Sequence, residues 1–146
     1  MANSAPSRPL RILLALLGAA FVVSVVHYVD NVANYADYPQ PGPEDLPAPS
    51  AGLIAFGWFL FTAFGVLGLW QFLRGNVVPA ALGLTGYSVS GLVGVGHYLV
   101  PGATDMVWWR QAHVIADIVL GVGVFGFAVW SVVALRSRRR TAAGRP

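Results

Sequence analysis

Residues 51–73 read AGLIAFGWFLFTAFGVLGLWQFL, a run without a single charged side chain. A run this long and this apolar matches the roughly 30 Å hydrocarbon core of a bilayer when it is wound as a helix. Arg74–Gly75–Asn76 follows at once, and a second apolar run begins at Val77. So short a turn makes the two runs antiparallel neighbours. The second run extends to Val100, where Pro101–Gly102 ends it.

Working outward, two more runs of the same character appear. One covers about residues 12–31, the other about 111–135, and the four spans together make one integral membrane domain of residues 1–146. The fold class that follows is all-α, a four-helix transmembrane bundle. Between the first two spans, Pro39, Pro41, Pro43, Pro47 and Pro49 mark residues 36–50 as an extended loop, because proline fixes φ and removes donors. This loop is expected to fold over the outer mouth as a partial lid.

Composition agrees. The chain is 56% hydrophobic and 10% charged, with mean hydropathy +0.65. An ordinary soluble domain carries about 25% charged residues. Cysteine is absent, which excludes disulfides, iron–sulfur clusters, thiolate zinc and cysteine nucleophiles. A cleaved signal peptide competes for the first run, since Arg8 and Arg11 precede it. The run is long for that role, and His27, Asp30 and Asn31 follow it in place of a small-x-small cleavage site. A retained span is the reading adopted.

Arginine distribution sets the orientation. Arg8, Arg11, Arg74, Arg136, Arg138, Arg139, Arg140 and Arg145 fall on one side of the alternating spans, against Arg110 on the other. The positive-inside rule places both termini in the cytoplasm of a cell-membrane protein. Asp30, Asp37, Glu44, Asp45 and Asp105 then lie outside. Trp108 and Trp109 outside, with Trp70 and Trp130 inside, make interface belts. The basic tail 136–146 reads as an anchor on anionic headgroups, so the partner is the lipid bilayer and not nucleic acid. Small-residue faces at Gly86, Ser90 and Gly94, at Ala112 and Ala116, and at Ala20 and Ser24 predict close helix packing. They also suit a subunit with membrane-protein partners.

Every histidine falls near the outer ends of the spans: His27, His97 and His113. Asp30 and Asp117 join them. His113 and Asp117 stand four apart on one helix, so His113 is the nearest partner for an acid that would be costly facing lipid. Imidazole with carboxylate suits a divalent transition metal, with His27, Asp30, His97, His113 and Asp117 as the candidate ligands. A b-type haem between His27 and His97 or His113 is a second use, since C-x-x-C-H is absent. Proton relay, or a counter-ion for a cationic ligand, is a third. Interfacial hydrogen bonding to water and headgroups is the plain alternative. The sequence holds no H-E-x-x-H, Walker loop or G-x-S-x-G, so no catalytic residue is assigned.

Asp30 before a proline-containing loop, Phe72–Leu73–Arg74–Gly75 leading into the third span, and Tyr87–Ser88–Val89 within it form a pattern. It resembles the EXPERA-type four-span membrane proteins, the sigma-2 receptor and emopamil-binding families. The resemblance implies cytoplasmic termini and a pocket between the helices for a sterol-like or cationic amphiphilic ligand. The second span here carries no glutamate. A lipid-like or cationic ligand, or a scaffold role in a membrane complex, therefore stands beside the metal reading.

Overall fold

The computed structural model describes residues 7–41 and 47–143. Four helices account for most of them: α1 (Arg8–Ala33), α2 (Ala51–Leu73), α3 (Val77–Leu92) and α4 (Trp108–Ala143). Among the described residues there is no strand. All four helical segments are long and apolar enough to cross a membrane, counting the extension of α3 to Leu99.

Local chemistry explains where the helices start and stop. Pro9 sits in the first turn of α1, where its missing N–H costs nothing. Ser50 caps α2 by accepting from the Leu53 amide at 3.3 Å. Gly75 takes φ 76°, a left-handed conformation that glycine adopts freely. The chain can therefore reverse within Arg74–Gly75–Asn76, with the Asn76 amide donating to the Gln71 carbonyl at 2.9 Å.

Close approach of α3 to α2 and to α4 depends on glycines on both sides of the crossing. A Cβ on Gly83 would stand 2.7 Å from the Gly68 backbone, so α2 and α3 meet there. A Cβ on Gly91 would fall on the Asp117 carbonyl, and one on Gly121 would lie 2.9 Å from the Ser88 carbonyl. The tightest contacts are thus Gly68 with Gly83 and Gly91 with the Asp117 carbonyl. Of the residues singled out from sequence, Gly86 meets the Phe64 ring and Gly94 meets Ile118, both side-chain contacts.

Leu13, Leu84, Tyr87, Val124 and Phe127 form the main core. A smaller one of Tyr38, Met106 and Val114 lies at the end where α4 begins. Outward faces are apolar: Leu53, Phe56 and Phe59 of α2 are 57%, 61% and 67% exposed. Such a surface is stable against lipid and not against water.

After Leu92 the α-helix tightens into a 3-10 helix over Val93–Leu99. Runs of this length are uncommon and mark local constraint. Hydropathy reads 77–100 as one span and does not distinguish the two windings. The change lies where the chain carries His97 towards α1.

Candidate functional site

The end of α1, the 3-10 segment after α3 and the start of α4 converge. His27 and Asp117 are both 2% exposed, and His27 Nδ1 lies 2.7 Å from Asp117 Oδ2. The expected helical partner of Asp117, His113 one turn away, is not the partner found. Because α1 packs on α4, an imidazole from the neighbouring helix reaches the carboxylate. His113 Nε2 instead stands 3.4 Å from Asp30 Oδ2, and neither His113 ring nitrogen makes a hydrogen bond.

His27 presents its other nitrogen to His97, with Nε2 to Nε2 at 3.4 Å and rings tilted by 55°. Asn31, one turn beyond His27, places its amide nitrogen 3.1 Å from the same His97 Nε2. The His113 ring lies 5.5 Å from that of His27, centroid to centroid. His97 and His113 therefore gather around His27. Among the described residues, however, no group of three or more His, Asp or Glu is arranged to hold a metal ion.

Asp30 is the hub of an adjoining network. Its Oδ1 accepts from Asn34 at 2.7 Å, and its Oδ2 accepts from the Tyr38 hydroxyl at 2.6 Å and from Arg110 Nε at 2.9 Å. Arg110 Nη2 also reaches Asp37 Oδ2 at 3.3 Å, and its guanidinium lies over the Tyr38 ring at 4.9 Å. Sequence reading counted Arg110 only as an exception to the charge bias. Its signal was the lone arginine among outer acids, at the start of a span. Burial raises the Tyr38 phenol well above its ordinary pKa, and the hydrogen bond to the Asp30 carboxylate pushes the same way. The Tyr38 ring in turn packs on His97 at 5.0 Å between centroids.

His27 and His97, with Asn31, are among the polar groups that line a cavity of about 590 Å³. His27, Tyr28 and Asn31 of α1 line one wall, and Leu53 to Phe61 of α2 line another. Val93, Gly96 and His97 close a third, and Tyr35 to Pro41 with Pro47 to Pro49 cover the top. The loop predicted as a lid does cover the cavity in its described parts. The Tyr35 hydroxyl ties the two ends together by donating to the Pro49 carbonyl at 2.9 Å. Glu44 and Asp45 lie outside the described residues. A cavity of 300–1,000 Å³ with mostly apolar walls and a few convergent polar groups is the ordinary form of a small-molecule site.

Comparison with known proteins adds no identity: no protein-family model, curated protein or solved structure matches the chain.

Proposed function

We propose that the chain is a four-span protein of the cell membrane, with both termini cytoplasmic, that binds a lipid-like amphiphile. The ligand's apolar body lies between α1 and α2, and its polar head meets His27, Asn31 and His97. The orientation rests on the eight arginines set against Arg110. One observation carries the ligand reading: the 590 Å³ cavity has mostly apolar walls, with His27, Asn31 and His97 among its few polar groups. Leu53, Phe56 and Leu60 line that cavity and are also exposed on the outer face of α2. A molecule dissolved in the bilayer is therefore the one nearest to hand.

Photolabelling tests this reading. A long-chain alcohol bearing a diazirine would be activated on the detergent-purified chain and its adducts mapped. Saturable labelling within residues 53–61 and 93–100 supports the reading. Labelling spread evenly over the outer faces of all four helices, with no saturation, overturns it.

A transition-metal reading is favoured by a different observation. Two nitrogens bound to one tetrahedral ion at 2.0–2.1 Å lie about 3.4 Å apart, which is the His27–His97 Nε2 separation. Asp117 behind His27 has the form of the carboxylate that orients a metal-bound imidazole. His113, whose ring nitrogens make no hydrogen bond, would have to turn from Asp30 to become a third donor. Asp30 is held by Arg110, Tyr38 and Asn34, so it belongs to the support around the histidines. A b-type haem would be held by His27 with His97 or His113. Elemental analysis with an absorption spectrum tests both. About one ion per chain, lost in His97→Ala, supports the metal reading, and a Soret band supports haem. A colourless, metal-free protein that takes up no added ion removes both.

A further inference from the structure

We propose that a single water molecule is bound where α1, α3 and α4 meet, held between the carboxylate of Asp117 and the hydroxyl of Tyr87. The site lies apart from the amphiphile cavity. The two share no lining residue, and His27 stands between them, lining the cavity and bonded to Asp117. The water is bound whether or not the cavity takes a ligand.

Small residues open the space. Ala20 of α1, Gly91 of α3 and Gly121 of α4 line it, and none has a side chain beyond Cβ. The gap has a volume of about 10 Å³, close to one water-sized sphere. That decides the number, since one water fits and two do not. Apolar gaps inside proteins stay dry, so polar partners are the second requirement.

A buried water typically makes about three hydrogen bonds. Asp117, 2% exposed, offers acceptor positions on both carboxylate oxygens, and His27 takes up one of them on Oδ2. Tyr87, 5% exposed, carries a hydroxyl that makes no hydrogen bond to the described residues. Buried hydroxyls are rarely left in that condition, because protein or ordered water supplies a partner. Ser90, 1% exposed, adds a third polar side chain to the lining. An ionised carboxylate only accepts, so the water donates to Asp117 and the Tyr87 hydroxyl donates to the water.

A metal ion fits the same gap less well. Calcium takes six to eight oxygens, and magnesium keeps several waters for which there is no room. The side chains here bring one carboxylate and three hydroxyls, and the Ser88 hydroxyl is already turned to the Thr85 carbonyl at 2.7 Å. A water needs fewer partners and no charge. Bound there, it satisfies the remaining acceptor capacity of Asp117 in an interior where an unpaired polar atom is costly. Asp117 is then held from behind while its Oδ2 orients His27.

Crystals of the natural chain grown from a lipid mesophase, diffracting well enough to show ordered water, test the proposal directly. One peak within hydrogen-bond distance of both the Asp117 carboxylate and the Tyr87 hydroxyl is the expected result. A gap without a peak overturns it, and so does a peak ringed by six oxygens as for a metal ion. Two variants of one shape give the check in solution. Ala20→Val expels the water and puts only methyl groups in its place, whereas Ala20→Thr expels it and brings a hydroxyl. The threonine variant is expected to favour its folded form about five-fold more than the valine variant in the unfolding equilibrium, the value of one hydrogen bond. A valine variant as stable as the threonine variant, or more so, overturns the proposal.

Discussion

His27 and Asp117 are separated by ninety positions in the chain, yet His27 Nδ1 lies 2.7 Å from Asp117 Oδ2 and both residues are 2% exposed. This contact joins α1 to α4 and fixes which nitrogen of His27 faces the cavity. Removing one partner strands the other away from water. Asp117→Ala is expected to cost about 2 kcal/mol, in the range for leaving a buried hydrogen-bonding group without its partner. Asp117→Asn keeps an acceptor oxygen and should cost clearly less. Unfolding in mild detergent, followed by helical signal, measures the difference. Equal losses for the two variants would mean that the contact contributes packing only.

Arg110 holds three elements together through Asp30, Asp37 and the face of Tyr38. Arg110→Ala leaves Asp30, whose side chain is 10% exposed, without its cation and should cost about 3 kcal/mol. The Asp37 side chain is 63% exposed, so Asp37→Ala should change stability by less than about 1 kcal/mol. Thermal melts of the two variants side by side check the contrast.

Glycines give a steric test. Gly91→Ala would drive a methyl group into the Asp117 carbonyl, displacing the residue that orients His27. A loss of folded protein, or of probe binding in whatever folds, is the expected result. Gly96→Ala, where a Cβ meets nothing within 4 Å, should leave the yield of folded protein unchanged. Size-exclusion profiles of the two variants report the outcome.

Tyr38 supplies the pH prediction. Its phenol is shifted upward in the folded chain, so folding favours the protonated form. The stabilisation is then fully present below the unfolded pKa of about 10 and declines as pH rises above it. The stability gap between the natural chain and Tyr38→Phe should stay flat from neutral pH to about pH 9 and shrink at higher pH. A gap that widens above pH 10 would contradict the assignment of Tyr38 as the donor to Asp30.

Much of this architecture is legible in the sequence because hydropathy acts locally. The runs at 51–73 and 77–100 declare membrane-length helices, and Arg74–Gly75–Asn76 declares the turn between them. Gathering His27, His97 and His113 at one end needs only the alternation of span direction. Pairing is another matter, because it depends on how each helix is rotated. The i, i+4 spacing of His113 and Asp117 suggested a partner within one helix, whereas packing of α1 on α4 supplied His27. Asn31 entered the sequence reading only as a polar residue at the end of the first run, and the structure puts it on His97. The tightening of the third span into a 3-10 helix leaves hydropathy unchanged, so His97 could be placed by depth but not by direction. The cavity is a property of assembled surfaces, and no single segment announces it.

The most direct test is the dissociation constant of a long-chain alcohol for the purified chain and for two glycine variants. Gly57 lines the cavity, where a Cβ makes only an ordinary 3.7 Å contact with Phe61, so Gly57→Phe should fold and fill the space. Gly18, with nothing within 4 Å of a Cβ, serves as the control in Gly18→Phe. The account predicts saturable binding by the natural chain and by Gly18→Phe, with a loss of at least about ten-fold in Gly57→Phe, or roughly 1.4 kcal/mol. Unchanged affinity in a folded Gly57→Phe, or no saturable binding by the natural chain, would contradict it.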